Sequence, residues 1–137
     1  MPLIANDTDG AVTRKRLETW AAAKEKTTVV AASDEATTQA AATLVAGGPV
    51  VYTMTPTAGR ALTTPTGAQL GAAVADEAVG TSFEFSVVNL AGATHAVTLT
   101  AGASGVTLVG SAVVAAASSA SFVGVFTAAD TVSIYRK

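Results

Sequence analysis

Residues 82–102 read SFEFSVVNLAGATHAVTLTAG. Apolar and polar side chains alternate, the pattern breaks at a run of small residues, and then it alternates again. Successive strand side chains point to opposite faces, so Phe83, Phe85 and Val87 share one face of the first stretch. Val97 and Leu99 share one face of the second, opposite Thr98 and Thr100. The pattern predicts two adjacent antiparallel strands, a β-hairpin with its apolar face in a core. Burying those five side chains is worth about 1.5–3 kcal/mol each before conformational entropy is set against it. They account for folding rather than for chemistry.

Outward from this hairpin, strand signals run from residue 28 to the end of the chain. TTVVAA, TTQAAATLVA, VVYTMT and RALTT are short and rich in β-branched residues, with GGP and TPTAG as punctuation. After the hairpin come VTLVGSAVV, ASFVGVFT and TVSIYRK. One interruption reads as helix: Thr66 caps a short segment carrying Leu70 and Val74 that closes before Gly80. Many short strands, few helices and Gly/Ala/Ser turns predict a mainly β fold, an antiparallel β-sandwich or barrel, over residues 28–137.

Residues 1–27 differ in character. They hold five bases and four acids, a net +1, whereas the remainder holds three bases and six acids, a net −3. Within them, DGAVTRKRLETWAAAKEK is rich in helix formers and sets Val12, Leu17, Trp20 and Ala21 near one face. The reading is an N-terminal arm followed by a helix over 11–26, with Asp7, Thr8 or Asp9 as its cap.

Composition narrows the function classes. Of 137 residues only 13% are charged and 5% aromatic, while half are apolar, chiefly Ala and Val. Soluble domains average about 25% charged residues, so a surface this poor in charge is suited to lying against other surfaces. A formal net charge of −2 gives no field that gathers nucleic acid or an anionic membrane. The absence of cysteine removes disulfide and thiolate chemistry. Neither a secretory leader nor a bilayer-spanning run is legible, so no membrane association is expected.

The chemical inventory is thin. The single histidine, His95, stands at the start of a strand without an evident nucleophile or orienting acid. Ser104, in GASG, lacks the spacing and the strand–turn–helix setting of a nucleophile elbow. NDTDG resembles part of a calcium loop, but with Gly10 in the sixth position Ala5 and Arg16 fall where carboxylates are required. Asp34–Glu35 and Asp76–Glu77 are sequence neighbours in turns rather than facing carboxylates. No phosphate-cradling glycine loop is present. The expectation is a non-enzymatic protein with no catalytic residue, no metal and no cofactor.

The least ordinary residues are Arg14, Arg16, Leu17, Trp20 and Lys24. One reading packs Leu17 and Trp20 onto the end of the protein's own core. The other makes them an interface, with Trp20 as a buried anchor and Arg14, Arg16 and Lys24 as a basic rim facing an acidic partner.

From Thr63 to Arg136 the order of pieces is similar to a module of tailed-bacteriophage virion structural proteins. The likeness lies in a TPTGAQL helix, a GTSFEFSVVN strand, a VTLTAGASGVTLVG hairpin, a Ser/Ala-rich crossing, then SFVGVF and a terminal VSIYR. Among such proteins the small capsid cement, or decoration, proteins fit this length. The resemblance implies a jelly-roll sandwich on the outer surface of the phage head, the major capsid protein as partner, and a homo-oligomer, with a dimer favoured over a trimer. It implies no catalytic residues. The alternative within the same resemblance is a trimeric head-fibre or tail-spike component, although residues 11–26 do not sustain the heptads of a three-stranded coiled coil. A carbohydrate-binding module needs an aromatic platform, and Trp20, Tyr52 and Tyr135 are scattered.

Overall fold

In the computed structural model, which describes residues 26–137, the chain passes back and forth between two sheets. The elements are β1 (Thr28–Ala31), β2 (Thr37–Thr38), α1 (Ala41–Leu44), β3 (Val50–Met54), β4 (Arg60–Thr63), α2 (Gly67–Ala73), β5 (Ser82–Asn89), β6 (Val97–Thr100), β7 (Val106–Val109), β8 (Val113–Val114), β9 (Ser118–Ala128) and β10 (Thr131–Arg136). A six-stranded sheet has the order β1-β3-β5-β9-β10-β7, and a four-stranded sheet the order β2-β4-β6-β8. The fold is mainly β with two sheets around one apolar cluster, as the alternation predicts. The helix expected over 11–26, and with it the N-terminal arm, lies outside the described residues.

The pairing departs from the expected antiparallel plan. Ladders β1–β3, β3–β5, β2–β4, β4–β6 and β7–β10 are parallel; β5–β9, β9–β10 and β6–β8 are antiparallel. A jelly-roll is built from antiparallel ladders, and its strand order is not established by this mixed arrangement. The first six strands alternate between the sheets, so each strand lies parallel to the one two places earlier. This is the stacking of coils. Thr28 pairs with Val50, 22 residues on, and Val50 with Phe85, 35 residues on. The second coil is longer because it contains α2.

The expected hairpin of β5 with β6 is therefore corrected: β5 lies between β3 and β9, and β6 between β4 and β8. The seven residues Leu90–Ala96 carry the chain from one sheet to the other. Alternation shows that a strand has one buried face, and both strands do. Phe83, Phe85, Val87, Val97 and Leu99 are all buried in the shared core. Which strand lies alongside is a separate matter that alternation leaves open.

A second correction concerns TTQAAATLVA, read as a strand. Only Thr37–Thr38 pair, and Ala41–Leu44 turn helical so that Leu44 enters the core. The helix after Thr66 forms as expected. Thr66 Oγ1 accepts from the Gln69 backbone N–H at 3.2 Å, and Gln69 Oε1 accepts from the Thr66 N–H at 2.9 Å. This reciprocal cap satisfies two donors that the first turn leaves free. Gly67 lets that turn lie against the backbone of Asp130 and Gly105, where any Cβ would collide.

Aromatic side chains fill the middle of the core. Phe85 stacks on Phe122 with ring centroids 5.2 Å apart and meets the edge of Tyr52 at 6.5 Å. Phe83 lies across from Gly124 in the β5–β9 ladder, and its ring occupies the space where a Cβ on residue 124 would stand. Aromatic pairs in such geometries add about 0.5–1.5 kcal/mol beyond area burial.

Candidate functional site

The proposed interface residues Arg14, Arg16, Leu17, Trp20 and Lys24 lie outside the described residues, as does the NDTDG stretch. The other residues singled out from sequence are placed, and their bonds hold the fold together. His95 is half-buried, and its carbonyl accepts from Asn89 Nδ2 at 2.7 Å. Ser104 stands in an exposed turn, where its carbonyl accepts the Gly67 N–H at 2.9 Å. Glu77 accepts the Asp130 backbone N–H at 2.6 Å and so ties the end of α2 to the β9–β10 turn, while Asp76 faces solvent.

Asp34 is the most heavily engaged carboxylate. Its Oδ1 accepts from Arg60 Nε at 2.6 Å and from the Thr57 N–H at 3.1 Å, and its Oδ2 accepts from the Thr57 hydroxyl at 2.5 Å. The Arg60 hydrogen bond, then those of Thr57, hold the carboxyl well below its ordinary range. These bonds join the β1–β2 turn to the β3–β4 turn, so they clamp the first coil to the second. Asn89 does the same work in the interior. Its Nδ2 donates to the carbonyls of His95 and Val114 at 2.7 and 3.0 Å, and its Oδ1 accepts the Ala91 N–H at 3.0 Å. With 1% exposure, it fixes the point at which the chain leaves one sheet for the other. Sequence reasoning passed over Asn89; its position at the end of an alternating strand, before a small-residue run, is the available signal.

Among the described residues two larger concavities open on the surface, beside a small one of about 90 Å³ at Glu84, Ser86, Ser121 and Lys137. One, of about 280 Å³, is lined by Gly47, Gly48, Pro49, Phe83 and Glu84; among the described residues Glu84 is the one titratable side chain on its wall, and it is paired with Lys137 at 2.6 Å. The other, of about 410 Å³, is lined by small or neutral side chains including Leu90, Ala91, Ala117 and Ser118. Neither of the two larger ones brings an acid, a base and a nucleophile together, and in the small one Glu84 is paired with Lys137 and the Ser86 and Ser121 hydroxyls with each other. Among the described residues there is no group of three or more His, Cys, Asp or Glu side chains arranged to hold a metal. Nor is any helix among them long and apolar enough to cross a membrane.

What the fold does present is a broad neutral face. On the outer side of the six-stranded sheet, register aligns Val29, Val51, Ser86 and Ser121 in one row. A neighbouring row aligns Glu84, Val123, Tyr135 and Val109. Ser86 and Ser121 hydroxyls lie 3.0 Å apart, and the Glu84–Lys137 pair stands at one side. Val29, Tyr135 and Val109 are exposed. The low charge fraction of the sequence is thus concentrated into a surface that costs little to desolvate.

The four sheet edges are unequal. The outer strand β2 has two residues and is followed at once by α1. Beside β8, Arg136 Nη1 donates to the carbonyls of Ser111 and Val113 at 3.2 and 2.7 Å. By contrast β1 and β7, the two edges of the six-stranded sheet, are apolar and Thr-rich, with no charge or proline in either. Charges, prolines and bulges are the usual guards of a free edge. No family model, curated protein or solved structure matches this chain.

Proposed function

We propose that this chain is a non-enzymatic decoration protein of a tailed-phage capsid. It binds the outer surface of the head and stabilises the shell across seams between copies of the major capsid protein, and it associates with itself. The observation that carries the reading is the neutral Val/Ser/Thr face of the six-stranded sheet, bounded by two edges that no other strand among the described residues covers. It stands beside the phage-like order of segments over Thr63–Arg136. Seam-covering proteins work by repetition: many modest contacts, multiplied by symmetry, resist the pressure of packaged DNA. Flat, weakly charged surfaces suit that role because they pack closely without stranding ions.

The chain's stacked coils favour one other reading. Parallel strands laid over one another, as β1, β3 and β5 are, are the way elongated β-solenoids grow, and a trimeric head-fibre or tail-spike component uses such a shaft. Co-sedimentation of the purified protein with phage heads that lack it separates the two. Saturation at a stoichiometry matching the whole shell, with heads that release DNA at a higher temperature, supports decoration. Attachment of trimers at one or a few sites per head supports the fibre, and no binding to heads overturns both decoration and the head fibre.

A further inference from the structure

The β1 edge has a geometry that fits itself. Thr28 and Ala32 donate their N–H groups to Pro49 and Thr53 of the neighbouring strand at 3.1 and 2.8 Å. Backbone groups alternate sides along a strand, so Thr28, Val30 and Ala32 face β3, and Val29 and Ala31 turn their N–H and C=O groups outward. Among the described residues nothing pairs with that outer side. The side chain of Val29 is 65% exposed, and Val30, which points inward, is only half-buried, whereas its neighbour Tyr52 on β3 is 3% exposed.

We propose that two copies of this chain pair through β1, antiparallel, about a two-fold axis at Val30. In that register Val29 of each copy faces Ala31 of the other as a hydrogen-bonded pair, which makes four main-chain bonds from the four outward N–H groups. Val30 faces Val30 of the second copy on the inner side, so both half-buried side chains are covered. The two six-stranded sheets join into one of twelve, and the neutral outer face runs unbroken across the junction. Charge agrees with the direction. The strand is preceded by Lys26 and followed, beyond an Asp34 already paired with Arg60, by Glu35, and the antiparallel register sets the basic end of one copy near the Glu35 end of the other. A parallel pairing would set like ends together. The two-fold contact also closes on itself, whereas joining β7 of one copy to β1 of the next leaves an edge at each end and produces open stacks.

This gives the self-association in the proposed function a surface, and purified protein tests it without capsids, so either reading can fail alone. The experiment is sedimentation equilibrium on the full chain and two variants. Ala31→Pro removes an outward N–H, which an edge strand tolerates in the monomer. Val29→Lys places a charge on an exposed position of the same edge. The expected result is a wild-type mass that approaches about 27 kDa with concentration, twice the 13.5 kDa chain. Ala31→Pro stays at the monomer mass, and Val29→Lys raises the dimer dissociation constant at least tenfold, with circular dichroism like the wild type. If Ala31→Pro does not fold, Val29→Lys decides. A wild type that is monomeric to millimolar concentration, a mass that grows beyond two copies, or folded variants that dimerise as the wild type does would each overturn the proposal.

Discussion

The two ends of the six-stranded sheet are built on different plans. Toward one end β9 and β10, of 11 and 6 residues, form a hairpin closed by Ala129 and Asp130, and β7 lies parallel on its outer side. Asp130 takes a left-handed φ of 53°, a conformation that Asp adopts more readily than most residues. At the other end β1 and β3, of 4 and 5 residues, lie parallel, and the chain between them crosses to the second sheet and back. A hairpin closes by a local turn. A coil requires a clamp between turns that are distant in sequence, and here Asp34, Thr57 and Arg60 supply one. Both ends finish in a short, half-buried parallel strand, β1 or β7, so the difference lies in what each is laid on: a locally closed hairpin at one end and a clamped coil at the other.

The strand where the plans meet, β5, pairs in parallel with β3 and antiparallel with β9, so breaking it should cost most. Phe85→Ala removes a ring that is 1% exposed and in contact with aromatic side chains from both neighbours. The expected loss of unfolding free energy is about 3–5 kcal/mol, measured by urea denaturation. A loss below about 1 kcal/mol would mean that the region is not one core.

The next largest effect tests the crossing. Asn89→Ala leaves the carbonyls of His95 and Val114 and the N–H of Ala91 without their side-chain partner. The expected cost is about 1–3 kcal/mol, with faster amide exchange confined to Leu90–Ala96. Uniform acceleration would show that the crossing is not held locally.

Thr66→Ala probes the helix inserted in the second coil. Loss of the side-chain cap should cost about 1 kcal/mol, and Thr66→Ser should restore most of it. Equal stability of both variants would show that the cap adds nothing.

The smallest effect belongs to the clamp, and it depends on pH. Asp34 has its carboxyl lowered in the folded protein by Arg60 and Thr57, so it binds protons less readily folded than unfolded. Its contribution is present above the unfolded value of about 3.9 and is lost as pH falls through the folded value. Asp34→Asn should therefore melt below the wild type at neutral pH, with the gap narrowing in acid. A gap independent of pH would remove the carboxylate from the account. Because the group is exposed, salt should also reduce the gap.

Much of the fold was legible because burial is written in alternation. Phe83, Phe85 and Val87, then Val97 and Leu99, alternate with polar residues, and all five enter the core. Thr66 and Gln69 stand at the spacing of a reciprocal cap, and the helix they start is there. The pairing of β5 was not legible, since a face toward the core says nothing of which strand lies beside it. The parallel ladders result from connections that change sheets, and Asn89, which pins one of them, is a single polar letter at a strand end. Ala41–Leu44 looked like strand because Thr and Val flank a stretch too short for helical periodicity. The interface expected at Arg14, Arg16, Leu17, Trp20 and Lys24 precedes the described residues, and the surfaces that carry the functional reading came from register instead. The apolar, uncharged TTVVAA was the visible trace of one of them.

The proposed face, its edges and the pairing register all follow from the strand order around β5, so that order is the measurement to make. In antiparallel ladders the α-hydrogens of facing residues in non-hydrogen-bonded pairs lie close together, and in parallel ladders they do not. Nuclear Overhauser contacts between backbone protons should therefore connect α-hydrogens of β5 with those of β9. Toward β3 they should run between α- and amide hydrogens, and none should join β5 to β6. A series of α-hydrogen contacts between Ser82–Asn89 and Val97–Thr100 would restore the simple hairpin and contradict the architecture described above.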